Sequence, residues 1–178
     1  FFIISNLIFN NKIIFNFFNY SLKNVEYNFN FFNINFENDN DLKKIILSKK
    51  YFENKYYDEK SIIYHNFDWL NTAKNIGGSE IVSLCKKHII NWYNQKYNTL
   101  TIAWDNKVIS KRLINMIYNF DFYAVSATDY EKKIIKSIIV KQYLTLRIQI
   151  ATNKNYLYSI INLKAVILFN LINNLDIK

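Results

Sequence analysis

The chain contains no proline, and its two glycines, Gly77 and Gly78, are neighbours. Proline and glycine are the residues that most weaken helix interiors, so their scarcity suits long helices. It also removes the turn residues on which a turn-rich β-sandwich depends. With both glycines together, no glycine-rich phosphate loop can be built, and a helix stop is role enough for them. A single cysteine, Cys85, excludes an internal disulfide and a thiolate metal cluster. Its place in an apolar helical pattern predicts an inert buried thiol. Arginine occurs only at Arg112 and Arg147. No uninterrupted apolar run reaches the ~20 residues needed to span a bilayer, so no transmembrane segment is expected. The opening FFIISNLIFNNKIIFNFF is greasy, but Asn6, Asn10, Asn11 and Lys12 break it. It lacks the charged start and small-residue cleavage site of a secretory signal. It reads as a docking segment, with an interfacial anchor or a signal remnant as the alternatives.

What remains is apolar and basic. Hydrophobic residues make up 51% of the 178 residues and aromatics 18%, enough to enclose a core and to argue against wholesale disorder. Lys and Arg number 23 against 14 acids, a net charge of +9. Such a field attracts polyanions. An AT-rich coding sequence would also enrich Asn, Ile, Lys, Phe and Tyr, and almost all of the basic excess here is Lys. Sites shaped to read phosphate or carboxylate favour the bidentate fork of Arg. No Arg-rich recognition helix and no helix-turn-helix signature is present, so nucleic acid is not expected as a partner. The chain begins at Phe1 and ends at Lys178 just after an apolar run. Both ends therefore read as cut.

Two regions differ in grammar. Residues 1–65 are low in complexity, and their Asn–Phe alternation, as in YNFNFFNINF, reads as edge strands or irregular docking segments. Within them, Asp39 or Asn40 is a cap before Leu42, Ile45 and Ile46. Residues 66–178 read as helices. FDWLNTAKNIGG predicts a short helix from Asp68 that stops at Gly77–Gly78. Ser79 would cap a helix to about Tyr97, with Ile81, Leu84, Cys85, Ile89 and Trp92 on one face. After a loop, a helix of about Lys107 to Phe120 uses Val108, Leu113, Met116 and Ile117. Thr128 and Glu131 form a capping box for a helix of about 22 residues. Asn153 or Asn155 opens the last helix, with Ala165, Leu168, Phe169 and Ile172. The fold class is all-α, an up-down array with a less regular N-terminal segment. Several helices are apolar on more than one side, which calls for neighbours on both.

One ordered set of segments is more specific. FDWL at Phe67–Leu70, Asn91–Trp92, Trp104 followed by Arg112, Leu113 and Ile114, and Lys164–Ala165 together resemble the amino-terminal region of bacterial heparinase II/III-like proteins. Asn106 stands where that family often has proline, and the last helix lacks the family's Gly-Asn-His opening. The resemblance spans roughly Tyr64 to Asn173. It implies part of an incomplete (α/α) toroid, truncated at its C-terminus and followed in the complete protein by a β-sandwich. It implies β-elimination on an acidic, uronate-containing polysaccharide. A base would remove the C5 proton, cationic or polar groups would stabilise the carbanion, and an acid would protonate the leaving oxygen. The family's His and metal-binding positions would lie beyond Lys178. The chain alone is expected to be inactive, because no full acid, base and carboxylate-neutralising set stands in matched positions. No cofactor is expected, and the compartment stays open between cytoplasm and periplasm.

Four residues are the substrate-binding candidates; no catalytic residue is assigned. Arg112 could grip a uronate carboxylate, or pair with Asp105 or a nearby acid to tie loop to helix. Trp104 lies on the loop that leads to it. Trp69 would stack on a pyranose face, or pack its helix against the array. Asn162 would look into the ring toward substrate, or lie on the surface. His65 and His88 lack partners at ligand spacing, so no metal site is expected. Lys132, Lys133 and Lys136 read as a solvated helix face. The competing hypothesis is a non-catalytic helical scaffold that binds a partner through an unfilled side.

Overall fold

A computed structural model describes residues 40–47, 62–95, 102–152 and 159–173. The Asn–Phe alternation of residues 1–39 and the caps expected at Asn153 or Asn155 lie outside them. Among the described residues all regular structure is helical, and the all-α reading holds. The order is α1 (Asn40–Leu47), α2 (Ile62–His65), α3 (Trp69–Ile76), α4 (Ser79–Asn94), a 3-10 turn (Ile102–Trp104), α5 (Asn106–Tyr118), α6 (Phe120–Ala124), α7 (Asp129–Thr152) and α8 (Ile160–Ile172).

Local chemistry explains most boundaries. Asn66 folds back on the chain, its Oδ1 accepting from the Asp68 amide at 3.0 Å. This turns the backbone between α2 and α3 and places Phe67 at a φ of 61°. Gly77 (φ 71°, ψ −166°) and Gly78 (φ 89°, ψ 147°) separate α3 from α4 in backbone regions that side chains disfavour. Ser79 is the first helical residue of α4 and not its cap; Gly78 holds that position. Asp105, extended, accepts from the Lys107 amide at 2.9 Å and starts α5.

The helix expected to run to Phe120 breaks at Asn119 instead. There the Asn119 side chain donates to the Asn115 carbonyl at 2.9 Å and to Asn71 Oδ1 at 2.8 Å. A short amide that bonds its own helix backbone offers the chain an alternative to the regular ladder. Tyr123 then donates its hydroxyl to the Met116 carbonyl at 2.8 Å, holding α6 back against α5. The capping box is present: the Thr128 amide donates to Glu131 Oε2 at 2.8 Å, and the Glu131 amide to Thr128 Oγ1 at 3.2 Å. Lys86 on α4 donates to the same carboxylate at 2.9 Å and to the Ser126 carbonyl at 3.3 Å, tying α4 to the start of α7.

Helix α5 is the axis of the array. It packs against α2, α3, the 3-10 turn, α6, α7 and α8, while α4 packs against α3, α6 and α7. Its apolar Val108, Ile109, Leu113, Met116 and Ile117 are buried, and so are its polar Asn106, Ser110, Arg112 and Asn115. A helix buried nearly all round belongs to the interior of a helical assembly. Ile46, Tyr64 and Phe67 join Trp69, Trp92, Ile135, Leu146 and Phe169 in one core, so the core also takes in residues that precede position 66. No helix among the described residues is long and apolar enough to cross a membrane.

The glycine corner gives a direct test. A Cβ at Gly78 would meet nothing within 4 Å, so only the backbone conformation opposes a side chain there. Gly78→Ala should lower stability by about 1–3 kcal/mol, read from urea unfolding, without loss of helical circular dichroism. An unchanged midpoint would show that the corner relaxes freely.

Candidate functional site

Arg112 lies in the second turn of α5 and is 0% exposed. Its Nη1 donates to the His65 carbonyl at 2.7 Å and to the Ala103 carbonyl at 2.9 Å. Its Nε and Nη2 both donate to Gln142 Oε1, at 3.2 and 2.6 Å. One guanidinium therefore joins the end of α2, the 3-10 turn and the middle of α7. Aromatic rings enclose it, with centroids of Trp92 at 4.3 Å, Trp104 at 5.4 Å and Phe67 at 6.0 Å. These named partners are neutral: two carbonyls, an amide and three π faces. Burial pulls the Arg112 pKa down to about 9, which leaves it cationic near neutral pH.

Asp105, the alternative ion-pair partner for Arg112 in the sequence, caps α5 instead and is exposed. Trp104 closes the aromatic wall and is 8% exposed, and its carbonyl accepts from Gln149 Nε2 at 2.9 Å. Trp92 Nε1 donates to His65 Nδ1 at 3.0 Å, tying α4 to the end of α2. The structure thus brings Arg112 and Trp104 together.

Trp69 and Asn162 lie elsewhere. Trp69 is buried between Phe67, at 5.5 Å, and His88, at 5.1 Å between ring centroids. Asn162 is also buried; its Oδ1 accepts from Ser110 Oγ at 2.8 Å and its Nδ2 donates to Asn106 Oδ1 at 2.9 Å. Ser110 and Arg112 are two positions apart, roughly 200° around a helix, so Asn162 sits on the far side of α5 from the guanidinium. All four candidates are inside the fold, where their placement joins helix to helix.

Several polar residues of this interior carry no motif. A seam of amides runs between α3 and α5. Asn115 Nδ2 donates to the Asn66 carbonyl at 2.9 Å and to Asp68 Oδ1 at 2.8 Å. Asn71 Nδ2 donates to Asn115 Oδ1 at 3.2 Å, and Asn119 Nδ2 to Asn71 Oδ1 at 2.8 Å. Asn115 and Gln142 had one signal in the sequence: each interrupts an apolar helical stripe at a core position, between Leu113 and Met116 and between Ile139 and Leu146. In a chain rich in Asn that signal is easily lost.

Two further buried groups are chemically quiet. Burial raises the Cys85 thiol to about 12, well away from a reactive thiolate. Burial lowers His88 to about 4. Among the described residues no group of three or more His, Cys, Asp or Glu comes together to hold a metal.

Arg112→Met should destabilise the chain by roughly 3 kcal/mol, because two buried carbonyls and Gln142 lose their donor together. Arg112→Lys should recover little of this, since an ammonium cannot span the three directions of the fork. Chemical unfolding of both variants checks it; a Lys variant as stable as the parent would refute the fork requirement. His88 makes stability depend on pH. Its folded pKa, about 4, lies below the ordinary 6.5, so the unfolded chain takes up the proton first. Stability should fall as pH drops through that window, and His88→Phe should flatten this part of the profile. No family model matches the chain, and neither does any curated protein or solved structure.

Proposed function

We propose that the chain is the helical part of a heparinase II/III-like protein, an incomplete (α/α) toroid that works with a β-sandwich on an acidic, uronate-containing polysaccharide. One spatial observation carries the proposal. The segments of the resemblance are far apart in sequence, yet Phe67, Trp92, Trp104 and Arg112 meet around a single guanidinium. Residues that define a pattern and also meet in space behave as one framework, as a shared architecture requires. The wholly helical order of the described residues and the net charge of +9 support it.

In this reading the chain supplies framework, and the reacting groups come from elsewhere in the complete protein. Trp69, Trp104, Arg112 and Asn162 hold helices in place beneath the cleft. A base, an acid and a carboxylate-neutralising group would act on the sugar from the toroid–sandwich junction. The burial of these four residues also favours the second reading, a non-catalytic helical scaffold.

Protein expressed with its flanking coding sequence should convert at least one uronate polymer to 4,5-unsaturated products, detected by ultraviolet absorbance. Residues 1–178 alone should not. Arg112→Lys in the longer protein should lower the melting temperature and leave KM unchanged. If the folded longer protein yields no absorbance across a panel of uronate polymers, the lyase reading fails and the scaffold reading stands.

A further inference from the structure

The two arginines of the chain have opposite surroundings. Arg112 is buried and gives its N–H groups to the molecule's own acceptors. Arg147, in the second half of α7, is exposed. Its Nη1 donates to the Tyr143 hydroxyl at 3.3 Å, and its Cζ stands 5.9 Å from the centroid of the same ring. That ring is itself held. It stacks on Phe169 of α8, with centroids 3.8 Å apart and planes at 11°, and its hydroxyl donates to Asn170 Oδ1 at 2.8 Å. Tyr143 is 7% exposed and Asn170 5%. A long charged side chain thus rests on two buried polar groups from two helices.

The hydrogen bonds of this cluster leave one kind of group unused. The Tyr143 oxygen accepts from Arg147, and its proton goes to Asn170. A guanidinium carries several N–H donors and no acceptor, and an amide nitrogen adds donors of its own. Among the described residues Arg147 makes no other hydrogen bond and no ion pair, and the Asn170 amide nitrogen donates to nothing. What is unspent is N–H beside a full positive charge. The neighbouring chain does not neutralise it: residues 132–175 hold six Lys and Arg147 but no Asp or Glu. The acids of α7, Asp129 and Glu131, lie in its first turn, roughly 24 Å or more along the helix from Arg147. Glu131 is in any case paired with Lys86. Asp105 follows Trp104, whose carbonyl binds Gln149, and Gln149 leaves α7 roughly 200° round from Arg147.

Charge and shape select the ligand. The cluster offers one cation, which a carboxylate balances, whereas a phosphate monoester brings about −1.5 to −2 at neutral pH and calls for more than one. The guanidinium fork also matches the two oxygens of a carboxylate in a single plane. Stacking on Phe169 fixes Tyr143, and Tyr143 in turn directs the guanidinium, so part of the ordering cost of binding is met before a ligand arrives.

We propose that Arg147, seated on Tyr143 and beside Asn170, is a binding point for a carboxylate of an acidic ligand. The proposal rests on these three residues and not on the polysaccharide reading; a uronate is one carboxylate it would accept. With only two arginines in the 178-residue chain, nitrogen–proton NMR has two Nε–Hε side-chain resonances to follow, assigned by Arg147→Gln. Titration with trigalacturonate should move the Arg147 resonance saturably and leave that of buried Arg112 in place. The fully methyl-esterified trimer, which carries no charge, should move neither. Arg147→Gln, a surface change, should weaken the trimer about tenfold by calorimetry with unchanged circular dichroism. Asn170→Asp, which sets a carboxylate of the chain's own beside the guanidinium, should weaken it as well. No shift with millimolar trimer, an equal shift with the ester, or undiminished binding by folded Arg147→Gln would overturn the proposal. So would inorganic phosphate moving the Arg147 resonance at lower concentration than the trimer, which would assign the point to phosphate. The product assay of the longer protein decides the lyase reading separately from each of these outcomes.

Discussion

A full positive charge inside an aromatic core constrains everything around it. Removing a guanidinium from water is costly, and the usual remedy is a carboxylate. Here the named partners of Arg112 are two backbone carbonyls, the Gln142 amide oxygen and the faces of Trp92, Trp104 and Phe67. Each needs its own element held in place. The His65 carbonyl requires α2 to end where it does, the Ala103 carbonyl requires the 3-10 turn, and Gln142 requires the register of α7 against α5. Moving any of these by one residue would leave buried donors or acceptors without partners, at roughly 1–3 kcal/mol for each. The guanidinium thus selects one register from the several that an aliphatic helix face would tolerate.

The amide seam does similar work on a second face of α5. Aliphatic side chains slide past one another at small cost, whereas Asn66, Asp68, Asn71, Asn115 and Asn119 interlock through directional bonds. Between them, the seam and Arg112 orient α3, α5 and α7. The core that fills the remaining space supplies most of the stabilisation through apolar burial. Specificity of arrangement and magnitude of stabilisation therefore come from different residues. That division explains how an interior with so many polar side chains can still be well packed.

It also bears on where a partner would be met. The inner faces of α5, α7 and α8 are occupied by the molecule's own contacts. Among the described residues, the exposed groups include Lys107 and Lys111 of α5, Val125, Tyr130 of α7, and Ile160 and Leu171 of α8.

The helices themselves were legible in the sequence because their causes are local. Asp105, the Thr128–Glu131 pair and Gly77–Gly78 act on residues within a turn of themselves, and the three-four spacing of aliphatics marks buried faces without knowledge of their neighbours. Trp92 could be assigned to the core for the same reason. Local causes also had limits: Asn119 breaks a helix whose apolar pattern continues, because its amide is drawn to Asn71 on another element. The roles of Arg112 and Asn162 were open in the sequence for a different reason. An arginine has the same chemistry whether it meets a sugar carboxylate or the chain's own carbonyls. Only tertiary packing, which brings positions 65, 103 and 142 to one point, decides which acceptors it finds. The residue pattern alone carried the helices of the described residues and the excess of lysine; the three-dimensional arrangement turned Arg112 and the three tryptophans inward and left Arg147 exposed, because hydrogen-bond partners distant in sequence are selected by geometry and not by pattern.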